Sequence, residues 1–169
     1  MAAISPRQNQ QHNLRRLKGQ RYLYSQAKRL SAWQASLAVA VPILSVIVVT
    51  AAPQYQIWPA LVGLLVTILD PILLDRWQST FRERAAAIQE EFDCDVLEMS
   101  WNDALVGGRP APEDVYAAAA KYCENPKTPI ADWYPAAVDV LKLYQARILC
   151  QRVNCWWDAQ LRRRYALGI

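Results

Sequence analysis

The sequence predicts a mainly α protein: a transmembrane helical hairpin followed by a small cytoplasmic helical domain. Three observations carry that expectation. Leu30 to Leu69 is a run of forty residues without Asp, Glu, Lys or Arg. It holds most of two apolar segments, residues 30–52 and 57–74, separated by the short break Pro53-Gln54-Tyr55-Gln56. Beyond the second segment, Trp77, Phe81, Ala85 and Ile88 recur at helical spacing among charged residues.

The chain divides on this basis into a basic cytoplasmic arm and helix (1–29), the hairpin (30–75) and a cytoplasmic helical domain (76–169). Residues 1–13 are polar and rich in Gln and Asn, which predicts a disordered start. From Leu14 to Ser31 a helix is expected, with Leu14, Leu17, Leu23, Ala27 and Leu30 among basic residues. It has two readings, an amphipathic segment on anionic lipid or the positive flank of the first span.

As helices, the two apolar segments would measure ~34 and ~27 Å at 1.5 Å per residue, against a bilayer core of ~30 Å. Trp33 and Trp77 stand at the charged ends of the hairpin, and Tyr55 and Trp58 at its turn. Such rings collect at both membrane interfaces. Pro42 inside the first segment is tolerated in a membrane helix, usually with a kink. The alternative is a buried hairpin in a soluble core, but neither segment has the polar face such helices carry.

The net charge of +4 is concentrated ahead of the hairpin, where residues 1–29 hold seven Lys or Arg and no acid. A basic arm alone would suggest nucleic acid; beside a membrane span, topology explains it, and no DNA or RNA partner is expected. Arg76, Arg82 and Arg84 flank the other end, and the turn is uncharged. Positive flanks stay inside, so both termini are expected in the cytoplasm. The leader is too long and the second span too close for a cleaved signal peptide, and neither end carries a lipidation box.

Asp70 lies about five residues inside the cytoplasmic end of the second span. An acid there is a functional candidate by default. Either it faces a pore or partner helix, or it marks the interface with Arg76 near enough to pair. Ser36, Ser45 and Thr67 are further polar groups in the spans; hydroxyls bond back to their own helix and say little alone.

A helix is expected to continue from Asp75 to about Glu91, followed by an extended segment, because Phe92 to Met99 alternates apolar and polar residues. Asp93 and Asp95 in that segment lack the glycine loop of a metal site. Val106-Gly107-Gly108-Arg109-Pro110 marks a loop without phosphate-loop spacing. Pro112-Glu113-Asp114 opens a helix to about Cys123, and Asn125-Pro126-Lys127-Thr128-Pro129 breaks it. A final helix is expected from Tyr134-Pro135 to Leu167. Arg147, Gln151, Asn154, Asp158 and Arg162 form a polar stripe along it, read as a solvated or ion-paired face or as a cleft or partner surface beside Trp156 and Trp157.

Cys94, Cys123, Cys150 and Cys155 all follow the hairpin, so the topology puts them in a reducing compartment as free thiols, read as small buried apolar residues. With no Cys-x-x-Cys and a single histidine, His12, a zinc site is not expected. No Ser–His or Cys–His pair and no nucleotide fingerprint appears, so the sequence offers no argument for an enzyme or a cofactor.

Four phrases, in order around the early hairpin, carry a family resemblance. They are Gln20-Arg21-x-Leu23-Tyr24-Ser25-x-Ala27-Lys28-Arg29, Phe92-Asp93-Cys94-Asp95-Val96-Leu97, Asp132-Trp133-Tyr134-Pro135, and a set on the last helix. That set is Ala146-Arg147, Cys150-Gln151-Arg152, Asn154, Trp157-Asp158, Leu161-Arg162-Arg163 and Tyr165. Together the chain resembles the SMODS-associating four-transmembrane effector family. The resemblance implies a bacterial inner-membrane effector of antiphage defence, activated by a cyclic oligonucleotide, oligomerising to form pores or disrupt the membrane. It implies the lipid bilayer and further copies of the chain as partners. Arg147, Arg152 and Trp157 would be the contacts for phosphates and bases, and Asp70 would line the inner mouth of a pore. A membrane-anchored regulatory module without conductance is the other reading. The family has two hairpins and this chain one, ending soon after Arg162-Arg163-Arg164, so it is expected to be an amino-terminal portion.

Overall fold

A computed structural model describes residues 3–124, 126 and 128–166. Among these residues there are seven α-helices: α1 (Ile4–Gln8), α2 (Gln11–Ala51), α3 (Ile57–Leu69), α4 (Asp75–Val96), α5 (Asp103–Val106), α6 (Pro112–Ala120) and α7 (Leu143–Ala166). No strand occurs among the described residues.

The basic helix and the first span are one helix. α2 runs unbroken for 41 residues through Pro42, a length of ~60 Å. The 3₁₀ turn Pro53–Tyr55 reverses the chain into α3. Between α3 and α4 lies one π-helical turn, Asp70–Leu74, in which the Asp75 N–H donates to the Asp70 carbonyl. Pro71 brings no N–H to the helix, so the carbonyl one turn earlier loses its donor; the wider turn keeps the chain helical across that gap.

α2 and α4 form an antiparallel pair that keeps one register well beyond the apolar segments. Gln34 Nε2 donates to Asp75 Oδ1 at 2.7 Å, and Gln78 bonds the Ser31 hydroxyl. Further out, Gln20 Nε2 donates to Gln89 at 2.8 Å. Arg16 reaches Glu91 and Asp95, each at 3.0 Å, and His12 meets Asp95 at 2.7 Å. Burial alone would raise the Asp95 carboxyl; hydrogen bonds from His12 and Asn13 and the Arg16 charge outweigh it and hold it low. Apolar stripes lie between these ties. Leu17, Gln20, Leu23 and Ala27 of α2 and Ala85, Ile88, Phe92 and Val96 of α4 are all buried, at the 3- and 4-residue spacing of a helix face.

The two apolar segments are different. Neither has any of its most hydrophobic window buried within the chain. Val46, Leu64 and Ile72 are each more than half exposed. A soluble core hairpin would bury such faces, so this one needs an apolar solvent. Within it α2 and α3 approach closely at Gly63, where a Cβ would stand 3.8 Å from Val41 Cγ1.

At the opposite end two clusters form one helical body. Leu23, Ala85, Ile88, Val115 and Ala118 join α2, α4 and α6. Ile4, Leu17, Phe92, Val96, Leu97, Ile130, Tyr134, Val138, Ala146 and Cys150 join α1, α2, α4, the 130–138 segment and α7.

Several expectations need correction. The polar start is ordered from Ala3: Ile4 is fully buried, and Asp139 accepts from the Ile4 and Ser5 N–H groups at 2.8 and 3.2 Å. The segment from Phe92 is helical to Val96, not extended. Its alternation arises because this helix end is enclosed on several sides, so Phe92, Asp93, Cys94 and Val96 are all buried. The last helix starts at Leu143, not Tyr134; residues 136–140 are a 3₁₀ turn. Its expected end at Leu167 lies outside the described residues. α6 stops at Ala120, short of Cys123. Trp77 stays exposed and Gln78 takes the inward position. Cys94 and Cys150 are buried as expected, whereas Cys123 and Cys155 are exposed; all four are free thiols.

Candidate functional site

α1, α2, the 130–138 segment and α7 meet at the carboxyl end of α4. A helix leaves its last carbonyls without intrahelical donors. Here the Met99 N–H closes back on the Cys94 carbonyl at 2.8 Å and the Leu97 N–H on Asp93. That is a Schellman-type end, but the left-handed position is Glu98 (φ 52°), not glycine. Two arginines hold it. Arg147 Nε donates to the Leu97 carbonyl at 2.6 Å and its Nη2 to the Glu98 carbonyl. Arg7 Nη1 donates to the Val96 carbonyl at 2.9 Å and pairs with the Glu98 carboxylate. Two cations there also complement the negative end of the helix dipole.

One turn inside, three polar side chains close a buried network. The Tyr134 hydroxyl donates to Asp93 Oδ1 at 2.6 Å, and Asn154 Nδ2 donates to Asp93 Oδ2 and to the Tyr134 oxygen at 3.1 and 2.8 Å. Asp93 is 4% exposed. Burial pushes its carboxyl up to about 7, assisted by the Glu90 charge and opposed by the bonds from Tyr134 and Asn154. The Tyr134 phenol is pushed far above its usual range, by burial first and then by Asp93.

The segment that brings Tyr134 in is gripped by side chains from the start of the chain. Gln8 accepts from the Tyr134 N–H at 2.7 Å and donates to its carbonyl at 3.0 Å. Asn9 does the same for Asp132, accepting at 3.1 Å and donating to its carboxylate at 2.8 Å. Asp132 is also left-handed, at φ 57°. Arg21 donates to the Thr128 and Pro129 carbonyls at 2.5 and 3.0 Å and stands over the Trp133 ring.

Of the residues singled out in the sequence, Arg147 is committed to the α4 end. Arg152 is exposed, and no acid pairs with it among the described residues. Trp157 is also exposed and meets Trp156 edge to face at 4.8 Å. Five helical positions separate Arg147 from Arg152, and again Arg152 from Trp157, so each pair points ~140° apart. The three do not converge on one pocket. The polar stripe of the last helix divides: Arg147 and Asn154 bond α4 and its end, and Gln151 Nε2 lies 3.8 Å from Met99 Sδ, whereas Asp158 and Arg162 are exposed and pair with each other at 2.8 Å, as an ion-paired face would.

Asp70 sits half-buried in the π turn. It forms no ion pair with Arg76 among the described residues. Asp75, through Gln34, is the acid that ties the helices at that level. Hydroxyls within the spans bond back to their own helix: Ser36 to Ala32, Ser45 to Val41, Thr50 to Val46 and Thr67 to Gly63, at 2.7–2.9 Å. Such bonds commit each hydroxyl's one donor to its own helix and leave only acceptor lone pairs for water.

The Asp93–Tyr134–Asn154 network is not apparent from the sequence, although its members lie in three of the four phrases on which the family resemblance rests. The available signal is that an acid, a tyrosine and an asparagine stand in apolar surroundings, where buried polar groups need partners.

Comparison with known proteins agrees with this architecture. A family model described as the SMODS-associating 4TM effector domain matches residues 2–169. A probable CBASS effector molecule of Bacillus cereus (strain VD146) is 27% identical over 167 residues, covering 95% of this chain and 56% of that relative. The chain thus spans little more than half the length of the curated relative. No solved structure matches.

Proposed function

The chain belongs to the SMODS-associating 4TM effector family, and from that premise we propose that it is a membrane effector of a bacterial antiphage system. On this reading a nucleotidyltransferase makes a cyclic oligonucleotide on infection, the nucleotide acts on the helical body, and copies of the chain assemble to breach the inner membrane. The body and both termini lie in the cytoplasm. The protein acts by rearrangement and not by catalysis.

One observation supports this reading above others: α2 and α4 leave the membrane as a single paired hairpin and end in the helical body. A shift in the body is therefore carried along two stiff helices to the π turn at Asp70 and the spans. The exposed groups Arg152 and Trp157 lie on different faces of α7, so a nucleotide would find a cation on one face or a ring on the other. Asp70 would set cation preference at the inner mouth of an open pore.

A second reading, a membrane-anchored regulatory module without conductance, draws on the back-bonded hydroxyls of the spans. Calorimetric titration of the purified protein with cyclic di- and trinucleotides tests the activation step. Binding that weakens in either Arg152→Ala or Trp157→Ala supports it; no binding to any of them favours the second reading.

A further inference from the structure

A groove of ≈ 500 Å³ runs between α2 and α4 just above the apolar segments. Gln26, Arg29 and Trp33 line one wall; Trp77, Phe81 and Arg84 line the other. On each helix these residues recur at three or four positions, so each wall is one helix face. Because the helices are antiparallel, both tryptophans fall at the membrane end and Arg84 lies towards the body. The groove grades from aromatic to cationic over about seven residues, or ~10 Å. The headgroup layer outside a bilayer core has a similar depth, ~5–8 Å.

The level is fixed independently. The Gln34–Asp75 and Ser31–Gln78 bonds tie the helices beside it. Trp33 and Trp77 remain 67% and 55% exposed. Arg29 is exposed, and α2 contains no acid along its whole length. Arg84 touches Asp114 at 3.0 Å, but that pair is open to solvent on both sides, and such pairs are weak enough for a phosphate to displace.

We propose that this groove is a binding site for the headgroup of an anionic phospholipid. The phosphate lies against the guanidinium groups of Arg29 and Arg84, and the acyl chains pass Trp33 and Trp77 onto the apolar belt. Arginine forks match phosphate oxygens, and basic pockets between membrane helices select anionic headgroups. The site rests on the hairpin lying in a membrane, not on pore formation or nucleotide activation.

Native mass spectrometry of the whole chain from nanodiscs of equimolar phosphatidylcholine and phosphatidylglycerol tests it. Phosphatidylglycerol should stay bound preferentially, falling roughly tenfold or more in the R29Q/R84Q double variant. R29K/R84K should retain most of it, which separates lost charge from lost fold. R76Q/R82Q removes the same net charge outside the groove and should leave retention unchanged. Equal loss in R76Q/R82Q, full retention in R29Q/R84Q, or equal retention of phosphatidylcholine would overturn the proposal. So would displacement by inorganic phosphate, which would mark a free-phosphate site. Nucleotide binding measured on the same R29Q/R84Q protein should be unaltered, so failure here is distinguishable from failure of the functional reading.

Discussion

Arg147 illustrates how a residue chosen for one role serves another. The family resemblance implies a ligand contact; in the structure its guanidinium closes the end of α4. Sequence cannot show this, because the two carbonyls it serves lie about fifty positions away. Arg147→Ala should lower stability by about 1.5–3 kcal/mol, the usual loss for hydrogen bonds to a charged group. Arg152→Ala should stay within about 0.5 kcal/mol, as exposed substitutions do. Thermal unfolding in detergent, followed by circular dichroism, separates the two. Asp93 makes a sharper case. Its carboxyl ionises at about 7 in the fold against 3.8 in the unfolded chain, so the protonated form is favoured by folding. That contribution is complete below about pH 4 and is lost as pH rises through about 7, at ~1.4 kcal/mol for each tenfold difference in proton affinity between the folded and unfolded chain. Asp95 and Asp139 are moved the opposite way, so the comparison must be with a variant. Asp93→Asn keeps an acceptor for Tyr134 and removes the charge. Its midpoint temperature should gain on the parent protein steadily from pH 4 to 7.5; parallel curves would mean that Asp93 carries no raised ionisation.

At the scale of elements, the hairpin is legible in the sequence, and the carboxyl end of α4 and the start of α7 are not. The spans are readable because two long charge-free runs with interfacial tryptophans have few soluble explanations. The carboxyl end of α4 is easily misread because Glu98, not glycine, takes the left-handed position and because the enclosed helix end mimics strand alternation. The start of α7 is displaced because Gln8 holds Tyr134 in an extended turn from 126 positions away. Helix packing supplies its own test. α2 and α6 touch at Gly19, where a Cβ would come within 3.3 Å of the Val115 carbonyl and 3.5 Å of Ala118 Cβ. Gly19→Val should cost about 1–3 kcal/mol through overpacking, read as a lower unfolding midpoint and faster proteolysis of α6. An unchanged midpoint in the valine variant would mean that the two helices are not held this closely.

Taken whole, the molecule is a hairpin whose outer half needs lipid and whose inner half is the spine of a helical body. The basic arm is part of that body: Arg16 and Arg21 of α2 are bonded to α4 and to the 128–129 segment. The same positive charges specify topology. Reporter fusions at residues 29, 55 and 90 should therefore read cytoplasm, periplasm, cytoplasm, and a cytoplasmic signal at 55 would rule out a spanning hairpin. The sequence shows a membrane hairpin whose second span continues as a helix towards Glu91, but not that α2 stays paired with that helix outside the spans, since that depends on contacts between Arg16 and Glu91 and between Gln20 and Gln89 across the chain. Continuity is what makes an effector mechanism physically plain, because a change in the body reaches the spans without a flexible joint. The most direct test is membrane potential in single cells carrying the effector and its nucleotidyltransferase, followed with a voltage-sensitive dye after phage addition. The account predicts depolarisation before lysis, absent from cells that lack the effector or the nucleotidyltransferase. Defence that proceeds with the membrane potential intact would contradict it.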